Sequence, residues 1–292
     1  RMARDRAQAR DDRATGAAVM SAGPTPWREL LKAENVNYLW ADLLLEELVR
    51  QSRGFPLIII CPGSRSSPLA IAATRVEECS EYIIATDERC AGFIALGAAA
   101  VGREPIIITT SGTAVANLLP AMVEASASGR PIVVLSADRP AELHACGANQ
   151  TIQQRGIFGE FVRWSFELPP PDERIDPALV LSTADEARTR ARMPWPGPVH
   201  LNVPFREPLA PRSVPFQLAE DPRLAAWLRS TASVWREIPT VQSVAGDAES
   251  IARSGVADAE RGVIIAGRPF APESRQTKLA EKYRQRITRS GK

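Results

Sequence analysis

The sequence predicts an α/β fold: a doubly wound parallel sheet, followed by the start of a truncated second α/β domain. Three observations predict it. Short apolar, β-branched runs recur at 57–61 (LIIIC), 105–109 (PIIIT) and 131–137 (PIVVLSA), the mark of strands covered on both faces. Helical patterns separate these runs, and alternation of the two builds a parallel sheet with helices on each side. Each run also ends in a short polar loop, where a strand-to-helix turn belongs.

The elements follow in chain order. From Val36 a helical pattern puts Leu39, Trp40, Leu43, Leu44 and Leu48 on one face. The strand LIIIC leads through PGSRS into the helix SPLAIAATR. EYIIAT (81–86) leads through DER into an apolar helix, PIIIT through TSGT into AVANLLPAMVEA, and PIVVLSA into DRPAEL. A helix near residue 177, PALVLSTADEARTRA, precedes a last strand, PVHLNVP (198–204). Right-handed crossovers set the loops PGSRS, DER, TSGT and ADRP on one edge of the sheet, the edge where open α/β sheets bind ligands.

This gives four segments. Residues 1–35, whose first half is rich in Arg and Ala, are expected to be a disordered tail, a transit segment or a linker. Residues 36–210 form the α/β domain, the Pro-, Ser- and Arg-rich stretch 211–240 reads as a linker, and 241–292 reads as the truncated start of a central domain. In that last segment RGVIIAGRPF (261–270) has the pattern of one more strand.

Composition narrows the function. The chain has 292 residues, 45% hydrophobic and 24% charged, as soluble globular proteins do. Its net charge of +2 sits at the ends: the first 20 residues carry +2 and the last 18 carry +6, so the body is mildly acidic. That argues against nucleic acid as a partner. The longest uncharged run, 105–123, contains TTSGT, Asn117 and Pro120, so no membrane span is expected. Cys61, Cys79, Cys90 and Cys146 form no CxxC and are joined only by His144 and His200, so no metal site is expected and a reducing compartment fits. Cys90 and Cys146 read as small buried residues, and both histidines as structural.

The strand-end loops hold the candidate chemistry. In PGSRS, Ser64 and Arg65 stand before a helix and offer a hydroxyl, N–H groups and a guanidinium to a carboxylate or phosphate. The bland alternative is that Ser64 or Ser66 caps the helix and Arg65 lies in solvent. Ser111-Gly112-Thr113 is open in the same way: a phosphate cradle, but without the Lys of a P-loop or the spacing of GxGxxG. Asp138-Arg139 could be a structural ion pair.

Glu88 is the least bland of these residues. DERCAGFIALG (87–97) puts three charged side chains before an apolar run, and residues 91–102 carry no hydroxyl, amide or charge. Such a run reads as a buried helix, whose first turn lies close to the core. Carboxylates are almost never buried unpaired. Either Arg89 pairs with Glu88, or a ligand does.

Taken together, PGSRSSPL, ATDERCAGFIALG, TTSGTAVANLLPA, SADRPAEL and CGANQTI, in this order and spacing, resemble the N-terminal domain of the SEPHCHC synthase family of menaquinone and phylloquinone biosynthesis, thiamine diphosphate enzymes. The resemblance covers about residues 36–210, and FVRWSFELPPP and GPVHLNVPFREPL are similar to its plant and algal members. It implies a pyrimidine-binding domain. Glu88 stands where the family's glutamate shares a proton with cofactor nitrogen N1′, a task an apolar surround suits because desolvation favours the protonated carboxyl. Pro62, Gly63, Ser111, Gly112 and Thr113 are implied at the cofactor, and Ser64, Arg65, Arg139, Asn149 and Gln150 at isochorismate, with 2-oxoglutarate as the second substrate. The family binds diphosphate and Mg²⁺ through a Gly-Asp-Gly motif and a downstream Asn. The Gly246-Asp247 pair here is followed by no Asn, so residues 1–292 by themselves are not expected to turn over. The resemblance further implies a homodimer or homotetramer, in a plastid if eukaryotic and otherwise in the cytoplasm. A sibling carboligase of the acetolactate-synthase type and a non-catalytic anion-binding or assembly fragment are the alternatives.

Overall fold

The computed structural model describes residues 33–76, 80–214, 216, 221–230 and 233–236. Six strands make one sheet: β1 (Leu57–Ile60), β2 (Glu81–Ile84), β3 (Ile106–Thr109), β4 (Ile132–Asp138), β5 (Trp164–Glu167) and β6 (Pro198–Pro204). They run wholly parallel in the order β2-β1-β3-β4-β6-β5. From β1 the chain steps to β2 on one side and then crosses to β3 on the other. The direction of winding reverses between β1 and β3, which opens a crevice at their C-terminal ends.

Strand residues alternate between two cores. Ile58, Ile60, Ile106 and Ile108 face a core formed with α1 (Val36–Arg50), α2 (Ser67–Arg75), α6 (Ala178–Arg192) and α7 (Pro222–Arg229). Leu57, Ile59 and Ile107 face a second core formed with α3 (Glu88–Ala100), the short α4 (Thr113–Ala116) and α5 (Leu119–Ala127). Asn35 caps α1, its side chain accepting from the N–H groups of Asn37 and Tyr38. Nearly all of α1 is buried, charged residues included, and each buried carboxylate has a partner. Asp42 meets Arg75 at 2.5 Å, Glu46 meets Arg50 at 2.8 Å, and Glu47 accepts from Trp227 Nε1 at 2.7 Å.

The structure departs from the sequence expectation in several elements. The apolar run 91–102 is not a buried helix: α3 buries Ala91, Gly92, Ala95 and Ala99, while Phe93 and Ile94 are exposed, as is Val101 after it. A stripe of small residues at i, i+4 spacing meets the sheet, and the large side chains point away from it. AVANLLPAMVEA breaks into α4 and α5, and Pro120 sits in the first turn of α5, where its missing N–H costs nothing. DRPAEL makes only a 3₁₀ turn at Ala141–Leu143. The edge strand β5 was not expected, since WSFE is short and mostly exposed. The stretch read as a linker contains α7, whose Leu224, Trp227 and Leu228 are buried at i, i+3 and i+4. The strand pattern at 261–270, Cys79 and most of the 1–35 tail lie outside the described residues. Among the described residues no helix is long and apolar enough to cross a membrane.

Candidate functional site

The loop after β1 and the loop after β3 meet across the crevice. A Cβ on Gly63 would lie 2.3 Å from Thr110 Cβ, so only glycine allows this approach. Ser66 precedes α2 but makes no capping bond; its hydroxyl instead donates to Gly63 O at 3.0 Å and closes the loop. Pro62 and Ser64 are exposed at its tip. Arg65 is not in solvent. It is buried, Nη1 donates to Phe205 O at 2.8 Å, Nη2 lies 3.5 Å from Glu207 Oε1, and the buried Nε has no partner. Burial first, and the nearby Arg139 cation second, lower its pKa.

The loop after β3 turns at Gly112, with φ at +81°. Its N–H donates to Gln154 Oε1 at 2.7 Å, and a Cβ there would strike Gln150 Cγ at 2.8 Å. Ser111 Oγ accepts from Arg139 Nη1, and Gln150 O accepts from the same nitrogen at 3.0 Å. Gln150 Nε2 returns a bond to Ser111 O at 2.8 Å. Gln150 itself has φ at +55°, a left-handed conformation that these contacts hold. Asp138 and Arg139 are therefore not an ion pair: Asp138 Oδ1 accepts only the backbone N–H of Arg139, at 2.7 Å, and Oδ2 accepts from Asn202. Thr113 and Asn149 are exposed beside this cluster.

Glu88 opens α3 at the end of β2. Arg89 does not pair with it, because both arms of that guanidinium go to Asp87, at 3.0 and 2.6 Å. Asp87 also caps the helix by accepting the Arg89 N–H, and these bonds hold its carboxyl down at about 2. The half-buried Glu88 carboxylate makes no hydrogen bond or ion pair among the described residues. Beside it lies the buried Cys61, whose thiol is pushed up to about 12 by burial and then by the Glu88 and Asp87 charges. It stays protonated. Cys90 and Cys146 are exposed, not buried: Cys90 lies on the outer side of the first turn of α3, and Cys146 on the irregular loop after β4.

The structure thus brings Gly63, Arg65, Ser111, Gly112, Arg139 and Gln150 into one region, with Glu88 one strand away on the same edge. Sequence reasoning missed what lies beneath. Ser136, His200, Asn202, Asp138 and Gln154 form a buried polar network on the α3/α5 side of the sheet, with the exposed Glu167 at its rim. Ser136 Oγ lies 2.6 Å from His200 Nε2 and donates to Asn202 Oδ1 at 3.0 Å. Asn202 Nδ2 donates to Asp138 Oδ2 at 2.8 Å and Glu167 Oε2 at 3.1 Å. Burial pulls His200 down to about 4, so it is neutral. A signal was present in PVHLNVP, where two polar residues at i and i+2 share one face of an otherwise apolar strand.

Comparison with known proteins agrees with this geometry. Residues 40–157 match the family model of the thiamine pyrophosphate enzyme N-terminal TPP binding domain. Over those residues the chain is similar to a thiamine pyrophosphate enzyme domain. Relatives of the domain are similar over most of the chain. A 2-succinyl-5-enolpyruvyl-6-hydroxy-3-cyclohexene-1-carboxylate synthase (SEPHCHC synthase) of Salinibacter ruber is 45% identical over 82% of this chain and 40% of its own length. Those of Chlorobaculum tepidum and Chlorobium phaeobacteroides are 43% and 50% identical, over 81% and 66% of this chain and 40% and 33% of theirs. The chain spans at most about two fifths of the length of these curated relatives. The switch-point crevice, glycine-lined and bordered by a partnerless carboxylate, fits a domain that receives its cofactor at the strand ends.

Proposed function

We propose that this chain supplies the pyrimidine-binding half of a thiamine diphosphate site in an enzyme that decarboxylates 2-oxoglutarate and adds the succinyl-semialdehyde unit to isochorismate. Its similarity to SEPHCHC synthases supports the reaction. The observation that carries the substrate assignment is Arg65, a buried guanidinium with an unpartnered Nε near a second cation, Arg139. Two like charges at one crevice repel each other, and an anion that enters relieves both. Isochorismate and 2-oxoglutarate are both dicarboxylates.

Each residue then has a task. Thiamine diphosphate, when bound, supplies the electron sink for decarboxylation. Glu88 shares a proton between its carboxylate and the cofactor's N1′, filling the place that Arg89 leaves empty. The Cys61 thiol beside Glu88 stays neutral and adds no further charge there. Gly63 and Gly112 expose backbone where side chains would block approach, with Pro62, Ser111 and Thr113 around them. Ser64, Arg65, Arg139, Asn149 and Gln150 orient isochorismate and neutralise its carboxylates. Among the described residues no group of three or more His, Cys, Asp or Glu is placed to hold a metal ion, so in this reading Mg²⁺ is bound by other groups. The enzyme works as a homodimer or homotetramer, with a second copy over the exposed apolar side chains of β2 and α3.

The full-length protein, given thiamine diphosphate and Mg²⁺, is expected to form product from isochorismate with 2-oxoglutarate and not with pyruvate. Turnover with pyruvate alone would assign it to the acetolactate-synthase type. In that protein Arg139→Ala should cost about 10- to 150-fold in kcat/KM for isochorismate, the worth of one charge-assisted hydrogen bond. An equal loss for 2-oxoglutarate would remove Arg139 from the isochorismate site.

A further inference from the structure

One member of the network beneath the crevice, Gln154, bonds the Gly112 turn from below. We propose that Gln154 is a positioning residue: its buried carboxamide pins the Gly112 turn to the ends of β4 and β6, and so sets the place at which Ser111 and Gln150 hold Arg139. This deepens the reading above and rests on it for the identity of the substrate.

The geometry is specific. Gln154 is fully buried, and its carboxamide uses both ends. Oε1 accepts the Gly112 N–H at 2.7 Å, and Nε2 donates to Ala137 O at 3.2 Å and Asn202 Oδ1 at 2.8 Å. Only one orientation of the amide satisfies these partners, because a backbone carbonyl can accept and never donate. Asn202 is fixed in turn: its Nδ2 faces the Asp138 and Glu167 carboxylates, so reversing it would turn an oxygen toward two acceptors. Donor and acceptor identity therefore passes unbroken from the acidic pair, through Asn202 and Gln154, to the Gly112 N–H. Four residues before Gln154 in the chain, Gln150 grips the other side of the same turn through Ser111 O. The segment 150–154 thus clamps the turn between an exposed and a buried glutamine. Arg139 depends on the clamp, because Ser111 Oγ and Gln150 O are the two atoms that receive its Nη1.

Substitution separates positioning from bulk packing. Gln154→Met keeps volume and leaves the Gly112 N–H, Ala137 O and Asn202 Oδ1 without their amide partner. Gln154→Glu keeps the acceptor for Gly112 and loses the donor, so when ionised it sets a carboxylate against Ala137 O and Asn202 Oδ1. In the full-length protein both should raise the KM for isochorismate by roughly 10- to 100-fold, since displacing a positioned group by about 1 Å costs on that order. At saturating thiamine diphosphate the KM for 2-oxoglutarate should change by no more than about twofold, because Arg139 is assigned to isochorismate. Gln154→Glu should recover part of the loss as pH is lowered, when its protonated carboxyl donates again; Gln154→Met should not recover. Hydrogen exchange without substrates gives a readout independent of turnover. The amides of 110–114 should exchange faster in Gln154→Met, while those of β1 and β3 stay protected. Uniform loss of protection, or equal KM changes for both substrates, would make Gln154 an ordinary core residue and overturn the proposal. If the wild-type enzyme does not use isochorismate at all, the proposed reaction fails, and the exchange pattern still decides the role of Gln154.

Discussion

The two faces of the sheet are built on opposite principles. The face under α1, α2, α6 and α7 is closed by large side chains, Tyr38, Trp40, Leu43, Leu44 and Trp227 among them. Its buried charged side chains are hydrogen-bonded within the chain, as Arg192 is to Glu104 at 2.6 Å and Arg188 to Leu48 O at 3.0 Å. The face under α3 and α5 is closed by alanines: Ala91, Ala95 and Ala99 pack near Ala121 and Ala125, and the polar network lies at its strand ends. Small residues bring the helices close and spend little apolar area on the sheet, so large side chains are left outside. Phe93 is 52% and Ile94 41% exposed on the outer side of α3. The first face is finished by the chain itself except at its β2 edge, where Tyr82 and Ile84 stay exposed. The second is the side that carries Glu88, the polar network and the apolar surface that remains to be covered.

That difference also marks what could be read from the sequence. The strands were legible because a strand covered on both faces is apolar at every position, and LIIIC and PIIIT have no other good reading. The crevice was legible because loop order and crossover handedness place PGSRS, TSGT and ADRP together. The fate of α3 was not legible. An apolar helix looks alike whether its large residues face a sheet or a partner, and only the spacing of Ala91, Ala95 and Ala99 hinted which side turned inward. Trp227 was passed over because proline and serine around it read as linker, although Leu224, Trp227 and Leu228 have helical spacing. Gln154 was invisible, since a glutamine's burial depends on partners far away in the chain.

The largest effect that can break the comparison is at Glu88, on the unfinished face. Glu88→Gln keeps the shape and removes the titratable proton. In the full-length enzyme catalysis should fall by roughly 10²- to 10⁴-fold, the usual worth of one positioned acid–base group. Thermal stability should barely change, since no partner in the chain is left stranded. Exchange of the cofactor's thiazolium proton with deuterium is the direct measurement. Normal exchange would show that the partnerless carboxylate is idle.

A smaller effect tests whether the exposed side chains meet a second copy. Phe93→Glu puts a charge on the outer side of α3, where the isolated chain has room for it. If that surface is covered by a partner, the charge is buried unpaired at a cost of roughly 3–5 kcal/mol, at least two decades in the dimer Kd. Sedimentation of the full-length protein would then show dissociation while the fold persists. Unchanged assembly with Phe93→Glu would remove this surface from the interface.

The smallest effect belongs to the finished face, where pH rather than a ligand should be felt. Burial pushes Asp42 up to about 7, even beside Arg75, and pushes Asp185 up to about 8 with the help of Glu47. A carboxyl whose folded pKa is raised binds more protons folded than unfolded. Its contribution is therefore complete below the unfolded value near 4 and is lost as pH rises through the folded value. His200 works the other way. Its folded pKa is depressed, so its contribution is present above the unfolded value of 6.5 and disappears as pH falls toward 4. Between pH 4 and 6.5 the two effects oppose each other. Between 6.5 and 8 only the carboxyls act, and stability should fall. Asp185→Asn isolates the cause: the amide oxygen still accepts from Gln51 Nε2, bonded at 2.6 Å in the parent, and the new N–H₂ faces Glu47. The variant should melt a few degrees higher than the parent at pH 8, at about 2–4 °C per kcal/mol for a domain of this size, and within about a degree of it at pH 5. A parallel shift at both pH values would mean that Asp185 acts through packing, and that the closed face holds its acids without strain.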